Sequence, residues 1–245
     1  MRHPRPLAIV ATACVMSAGA ALPVSAQFFH SEPVRTASGG ALHIDFGARY
    51  AQPVGDFRSH VNAAWGVGGT VRHPLGRLRA LGIRGDFAIL NYGMERKRVP
   101  LSSTVNRVLV DMRTSNNIVV VSGGPELAVP RGPIRPYVFG FVGYSYFYTR
   151  SSVGDDDNNG SFASTTNFSD GGLATGAGGG VRIPLNTRRV RMAIDGGAHL
   201  TRSGTRTYLR RGDVLDQPDG SMTFNARTST ADFWQYHLGV SFSPR

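Results

Sequence analysis

The chain has 245 residues, a single cysteine and a formal net charge of +11, which is room for one large β domain or two small ones. Cys14 lies in the N-terminal run, so the chain beyond it can form neither a disulfide nor a cysteine-based metal or nucleophile site. The basic excess is arginine, with Lys97 the one lysine; it points to lipid head groups or anionic surface polysaccharide, and no nucleic-acid motif accompanies it.

Residues 1–26 read as a cleaved export signal: Arg2 and Arg5 supply the basic start, Leu7 to Ala21 the small and aliphatic run, and Val24-Ser25-Ala26 the cleavage pattern before Gln27. A lipoprotein signal at Cys14 is the weaker alternative, because the apolar run before it is short. An uncleaved anchor would need about 20 apolar residues. A short tail, 27–40, then leads into one domain over 41–245.

Eight segments of that domain alternate apolar and polar residues with the period of a strand. Ala41 to Ala51 sets Leu42, Ile44, Phe46, Ala48 and Tyr50 against His43, Asp45, Gly47 and Arg49. Ala63 to His73 sets Trp65, Val67 and Val71 against Gly66, Gly68, Thr70 and Arg72. Arg79 to Tyr92 sets Leu81, Ile83, Phe87 and Ile89 against Gly82, Arg84, Asp86 and Ala88. Asn117 to Leu127 contains Ile118-Val119-Val120-Val121, which leaves its faces undecided. Arg135 to Thr149 carries Tyr137, Phe139, Phe141 and Phe147 on one face. Gly171 to Ile183 separates Leu173, Ala177, Val181 and Ile183 from Gly176, Gly178, Gly180 and Arg182. Arg189 to Thr201 separates Val190, Met192, Ile194 and Leu200 from Arg191, Asp195 and His199. The last, from Asp232 to the end, sets Trp234, Tyr236, Leu238, Val240 and Phe242 against Gln235, His237, Gly239, Ser241 and Ser243.

The connections alternate long and short. The long ones, Gln52 to Asn62, Gly93 to Thr114, Arg150 to Asp170 and Arg202 to Ala231, are rich in Ser, Thr, Asn, Asp, Gly and Arg; the short ones carry Pro-Leu-Gly, Pro-Arg-Gly-Pro and Pro-Leu-Asn. An up-and-down meander puts all long loops at one end, the asymmetry of a transmembrane barrel. The polar faces are dominated by glycine with a few charges, which suits a narrow lumen better than a solvated convex surface.

Ala48-Arg49-Tyr50-Ala51-Gln52-Pro53-Val54-Gly55-Asp56-Phe57 and His237-x-Gly239-x-x-Phe242 resemble the first strand-to-loop passage and the last-strand assembly signal of the eight-stranded outer-membrane β-barrels of the OmpA and OmpX type. The resemblance covers 41–245 and departs from the pattern at Pro244-Arg245, where a terminal aromatic is usual. It implies an all-β, eight-stranded antiparallel up-and-down barrel in a bacterial outer membrane. Its implied partners are membrane lipid and the barrel assembly machinery, and it implies a monomer without a cofactor.

On this reading Asp45, Arg49, Arg72, Arg84, Asp86, Arg182, Arg191, Asp195, His199 and His237 form a polar network filling the lumen. Leu42, Ile44, Phe46, Trp65, Phe87, Trp234, Tyr236, Leu238, Val240 and Phe242 face lipid, with Tyr50, Trp65, Tyr92, Tyr137, Trp234 and Phe242 in interfacial girdles. Asp155, Asp157 and Asn159 before Gly160 have the spacing of a calcium loop's opening, but Thr166 stands where the closing Glu belongs. Arg211-Gly212-Asp213 matches an adhesion tripeptide. The role expected is structural or interactive, through the loops. The alternatives are a lipid-modifying enzyme and a soluble lipocalin-like barrel; for the enzyme, His237 and Ser241 lie about 13 Å apart along one strand, too far to pair.

Overall fold

The computed structural model describes residues 42–76, 79–100, 109–154, 161–185, 191–216 and 222–243. The proposed signal, the tail, the Asp155–Asn159 loop tip and Pro244-Arg245 lie outside them. The wall is built from β1 (His43–Pro53), β2 (Ala64–Leu75), β3 (Leu81–Pro100), β4 (Leu109–Ala128), β5 (Arg135–Gly154), β6 (Ser161–Leu185), β7 (Arg191–Arg202) and β12 (Phe233–Ser243). These pair in the order β1-β12-β7-β6-β5-β4-β3-β2 as a closed barrel, and every pair is antiparallel. This is the eight-stranded all-β architecture expected from the alternation. β1 and β12 close it with Ile44 opposite Phe242 and Phe46 opposite Val240, so neither terminal strand leaves an open edge.

The strand boundaries correct the sequence reading. β3 and β4 stay paired from Leu81↔Leu127 out to Pro100↔Leu109, and β5 and β6 from Arg135↔Arg182 to Gly154↔Ser161. Much of the expected loops Gly93 to Thr114 and Arg150 to Asp170 is therefore strand. Hydrophobic alternation stops there because those residues have no apolar surroundings to match, while backbone pairing continues. The fourth long connection also contains strand: β8 (Thr205–Tyr208) pairs with β11 (Arg227–Thr230), and β9 (Val214–Asp216) with β10 (Met222–Phe224). The first carries a 3-10 helix, Gly55–Ser59, whose Phe57 is buried.

Beside the β2–β3 turn, Gly76 has φ +66° and Arg79 φ +55°. Only glycine takes the left-handed region without steric cost, so Gly76 fits the turn and Arg79 bears mild strain.

The faces divide sharply. Phe46, Trp65, Leu81, Ile83, Val121, Val138, Leu173, Ile194 and Leu238, drawn from every wall strand, are exposed, whereas Asp45, Arg49, Arg84, Glu126, Arg182 and Asp195 are buried inside. The undecided fourth strand turns Ile118 and Val120 inward and Val121 outward.

Candidate functional site: the barrel interior

The lower interior is an ion-pair network drawn from six strands. Glu126 on β4 is its hub. Arg182 on β6 grips it with both terminal nitrogens, Nη1 to Oε1 and Nη2 to Oε2, each at 2.7 Å, the bidentate geometry that makes arginine–carboxylate pairs strong. Arg72 Nη1 on β2 donates to Oε1 at 3.1 Å and Arg84 Nη1 on β3 to Oε2 at 3.2 Å. Arg84 also donates from Nε and Nη2 to Asp86, at 2.6 and 2.8 Å. Arg182 Nε reaches Asp195 Oδ2 on β7 at 2.8 Å.

Four arginines, Arg49, Arg72, Arg84 and Arg182, thus face four carboxylates, Asp45, Asp86, Glu126 and Asp195. A balanced set is what enclosure demands, because a buried charge without a partner is strongly destabilising. Asp45 is the loosest member: both of its oxygens lack a hydrogen bond, and Arg49 Nη2 stands 3.7 Å away.

Tyr137 ties this network to the next layer. Its hydroxyl donates to Asp195 Oδ1 at 2.6 Å and lies 2.9 Å from His237 Nε2, and the Arg182 guanidinium sits 3.8 Å over its ring. Arg84 lies 4.1 Å over the Phe139 ring. Above come Phe139, Phe141 and His199, with His199 edge-on to both phenylalanines. In the upper interior Phe57, Leu90, Ile118, Phe147, Tyr208 and Phe233 pack as one cluster, with Tyr92 against it. Tyr92 donates to the Leu209 carbonyl at 2.9 Å, and burial raises the Tyr208 phenol above its ordinary pKa.

Glycine makes room for these side chains. A Cβ on Gly197 would lie 2.6 Å from the Gly179 carbonyl oxygen and 2.7 Å from His237 Cε1, and one on Gly180 would meet the Tyr137 hydroxyl at 2.5 Å. Gly197→Ala should therefore lower stability by ~1–3 kcal/mol through overpacking. Denaturant titration of the refolded barrel in detergent measures this, and an unchanged midpoint would mean the lumen has slack.

The candidate lumen residues do not all share one environment. Asp45, Arg49, Arg84, Arg182, Asp195, His199 and His237 are buried, and Arg72 and Asp86 nearly so. Arg191 differs: it is exposed, as the first residue of β7 opposite Ser243, at the rim and outside the buried network. The expected lipid-facing residues Leu42, Phe46, Trp65, Phe87, Trp234, Tyr236, Leu238 and Phe242 are exposed, and Ile44 and Val240 half-buried. Tyr50 joins an outward aromatic group, with ring centroids 4.4 Å from Trp65 and 6.0 Å from Tyr236. Two girdle assignments fail. Tyr137 and Tyr92 point inward, because each hydroxyl finds a buried partner there.

Sequence reasoning missed Glu126. The chain has three glutamates, Glu32, Glu95 and Glu126, and only the last falls within a predicted strand; that was the available signal. Asp213 of the adhesion-like tripeptide is buried and accepts from the Arg210 amide and Nε at 3.1 and 3.3 Å, so its carboxylate is not presented to a partner. Among the described residues no cluster of three His, Asp or Glu could hold a metal ion.

No family model matches the chain, and no curated protein does. Solved structures with a similar outline include the attachment invasion locus protein Ail of Yersinia pestis, at 16% identity and TM-score 0.44, covering 84% of this chain and 99% of that one. Neisserial surface protein A is similar at 14% identity and TM-score 0.44, covering 83% and 97%. A major outer membrane protein of Thermus thermophilus is similar at 14% identity and TM-score 0.46, covering 84% and 100%. Likeness at this level transfers no residue roles.

Proposed function

We propose that this chain is a non-conducting barrel of a bacterial outer membrane, exported by its N-terminal signal, acting in envelope structure or surface contact through its long-loop end. The observation that carries this is the inverted polarity of the wall. Exposed Phe46, Val67, Phe87, Val138, Leu173 and Leu238 form part of an apolar exterior around the barrel, while the paired charges lie inside. A soluble monomer rarely exposes an apolar patch beyond a few hundred Å², and a lipocalin-like barrel would have the opposite polarity. The 11 residues of β12, rising about 3.3 Å each at a tilt near 45°, span ~25 Å, the height of such a barrel's apolar band.

The packed interior supports a structural rather than a transport role: an ion-pair network occupies the lower lumen and an aromatic cluster packs above it. It also speaks against the lipid-modifying alternative. Tyr137, Asp195 and His237 bring a phenol, a carboxylate and an imidazole together, but all three are within 5% of full burial and none reaches a lipid-facing surface. The last strand, pairing along its whole length with β1 and β7, is the segment the assembly machinery would receive, and closure within one chain favours a monomer.

Two measurements test this reading. The chain from Gln27 onward should fold only with detergent or lipid present, seen as a heat-modifiable band on gel electrophoresis; a folded, soluble product in plain buffer would overturn the membrane assignment. In planar bilayers it should give no discrete conductance steps, whereas steady channel openings would show that the plug is not a plug.

A further inference from the structure

We infer that the outward face of β3–β5, well above the apolar band, is a docking site for the phosphorylated saccharide head groups of glycolipid packed around the barrel. Three arginines carry the inference. Arg96 on β3 and Arg113 on β4 are direct register partners, both exposed on the outer face. Arg150 on β5 is exposed opposite Ser115, two residues along β4 from Arg113. Like charges set directly across an antiparallel pair repel. Among the described residues none of the three has a carboxylate partner: Arg113 donates to Met94 Sδ at 3.0 Å and Arg150 to Ser164 Oγ at 2.7 Å. The neighbouring Arg98, by contrast, pairs with Asp111 at 3.4 Å. A phosphate bridging Arg96, Arg113 and Arg150 would turn this repulsion into charge-assisted hydrogen bonds.

Height selects the kind of lipid. Ile89↔Val119 is an outward aliphatic pair at the top of the band on β3 and β4, and Arg96↔Arg113 lies six β4 residues beyond it, ~14 Å up at a tilt near 45°. A phospholipid head-group layer is only ~5–8 Å deep, so the backbone of the row stands about twice as high. A taller anionic head group fits. From the top of the band toward the arginines on β5, Tyr146, opposite Val119, and Tyr148 stack with centroids 5.7 Å apart, a flat ladder with apolar faces and hydroxyl edges suited to sugar rings.

This inference rests on the membrane reading, and the test separates the two. The barrel is reconstituted in phosphatidylcholine nanodiscs containing rough-type lipopolysaccharide with core phosphates, its phosphatase-treated form, or no glycolipid, and retained glycolipid is measured after affinity purification of the discs' protein. Folding is checked throughout by heat-modifiability; loss of folding in every lipid would count against the membrane reading, not against the docking site. The expected result is that phosphorylated glycolipid is enriched about tenfold over the treated form and that this preference falls with added salt. It should be lost in Arg96→Gln/Arg113→Gln/Arg150→Gln and kept in Arg210→Gln/Arg211→Gln/Arg227→Gln, which removes equal charge from the upper ribbons. If the first triple variant folds poorly, single Arg96→Gln should still reduce the preference. Equal retention of treated and untreated glycolipid, an unchanged preference in the Arg96 variants, or equal binding of the delipidated core saccharide would each overturn the proposal; the last would make the ligand a soluble polyanion.

Discussion

Glu126→Ala should destabilise the barrel by about 3–5 kcal/mol, the largest loss expected from any single polar residue in the lumen. Glu126 accepts from Arg72, Arg84 and Arg182 at once, so its removal leaves three guanidinium groups enclosed with a deficit of negative charge. Glu126→Gln keeps the shape and loses the charge, and should fall in the same direction by less. Removing a facing charge as well should recover part of the loss: Glu126→Gln/Arg182→Gln should be more stable than the sum of its single variants predicts, because neighbours in one network are not additive. Denaturant titrations in detergent micelles supply the four midpoints of this cycle. Strict additivity would mean that the two groups act independently, contrary to their bidentate contact.

The second large effect belongs to the outer face. Val142→Arg places a charge at an exposed position of β5 inside the apolar band, between outward Val138 and Tyr146. In a bilayer this should cost ~2–4 kcal/mol, while Ile134→Arg at the lower rim should cost ~0–1. On a water-soluble barrel both would lie within about ±0.5 kcal/mol, as surface substitutions usually do. The contrast between the two sites, measured by reversible unfolding from lipid vesicles, is therefore more informative than either alone. Equal, small effects would remove the membrane from the account.

Much of the wall could be read from the residues because lipid enforces a two-residue period. Where both faces were constrained, as in β1 from Leu42 to Tyr50 and β12 from Trp234 to Phe242, alternation located the strand and its orientation. Where the constraint weakens, so does the signal. Arg113 and Thr114, Arg150 to Ser152 and Ser164 to Thr166 are polar on both faces and fall within expected loops, although their backbones stay in the ladder. The hub of the interior was hidden for a different reason. Ile118 to Val121 satisfies either facing, and with the strand's orientation undetermined Glu126 could not be assigned to the lumen. Tyr92 and Tyr137 show the limit of residue type as a guide, since a tyrosine is at home at a membrane interface or in a core that offers its hydroxyl a partner.

β3 and β4 lose step at one place: Asn91 pairs with Asn117 and Gly93 with Asn116, leaving Tyr92 as an extra residue. An insertion elsewhere in the strand would turn every later side chain to the opposite face; here the bulge absorbs it. Tyr92 is thus a parenthesis in the strand, removable without reversing the residues on either side of it. Arg96 keeps its outward address and Leu90 its inward one whether or not Tyr92 is present. The cluster in the upper lumen and the wall that carries it can therefore vary separately, one residue at a time for the first and two at a time for the second.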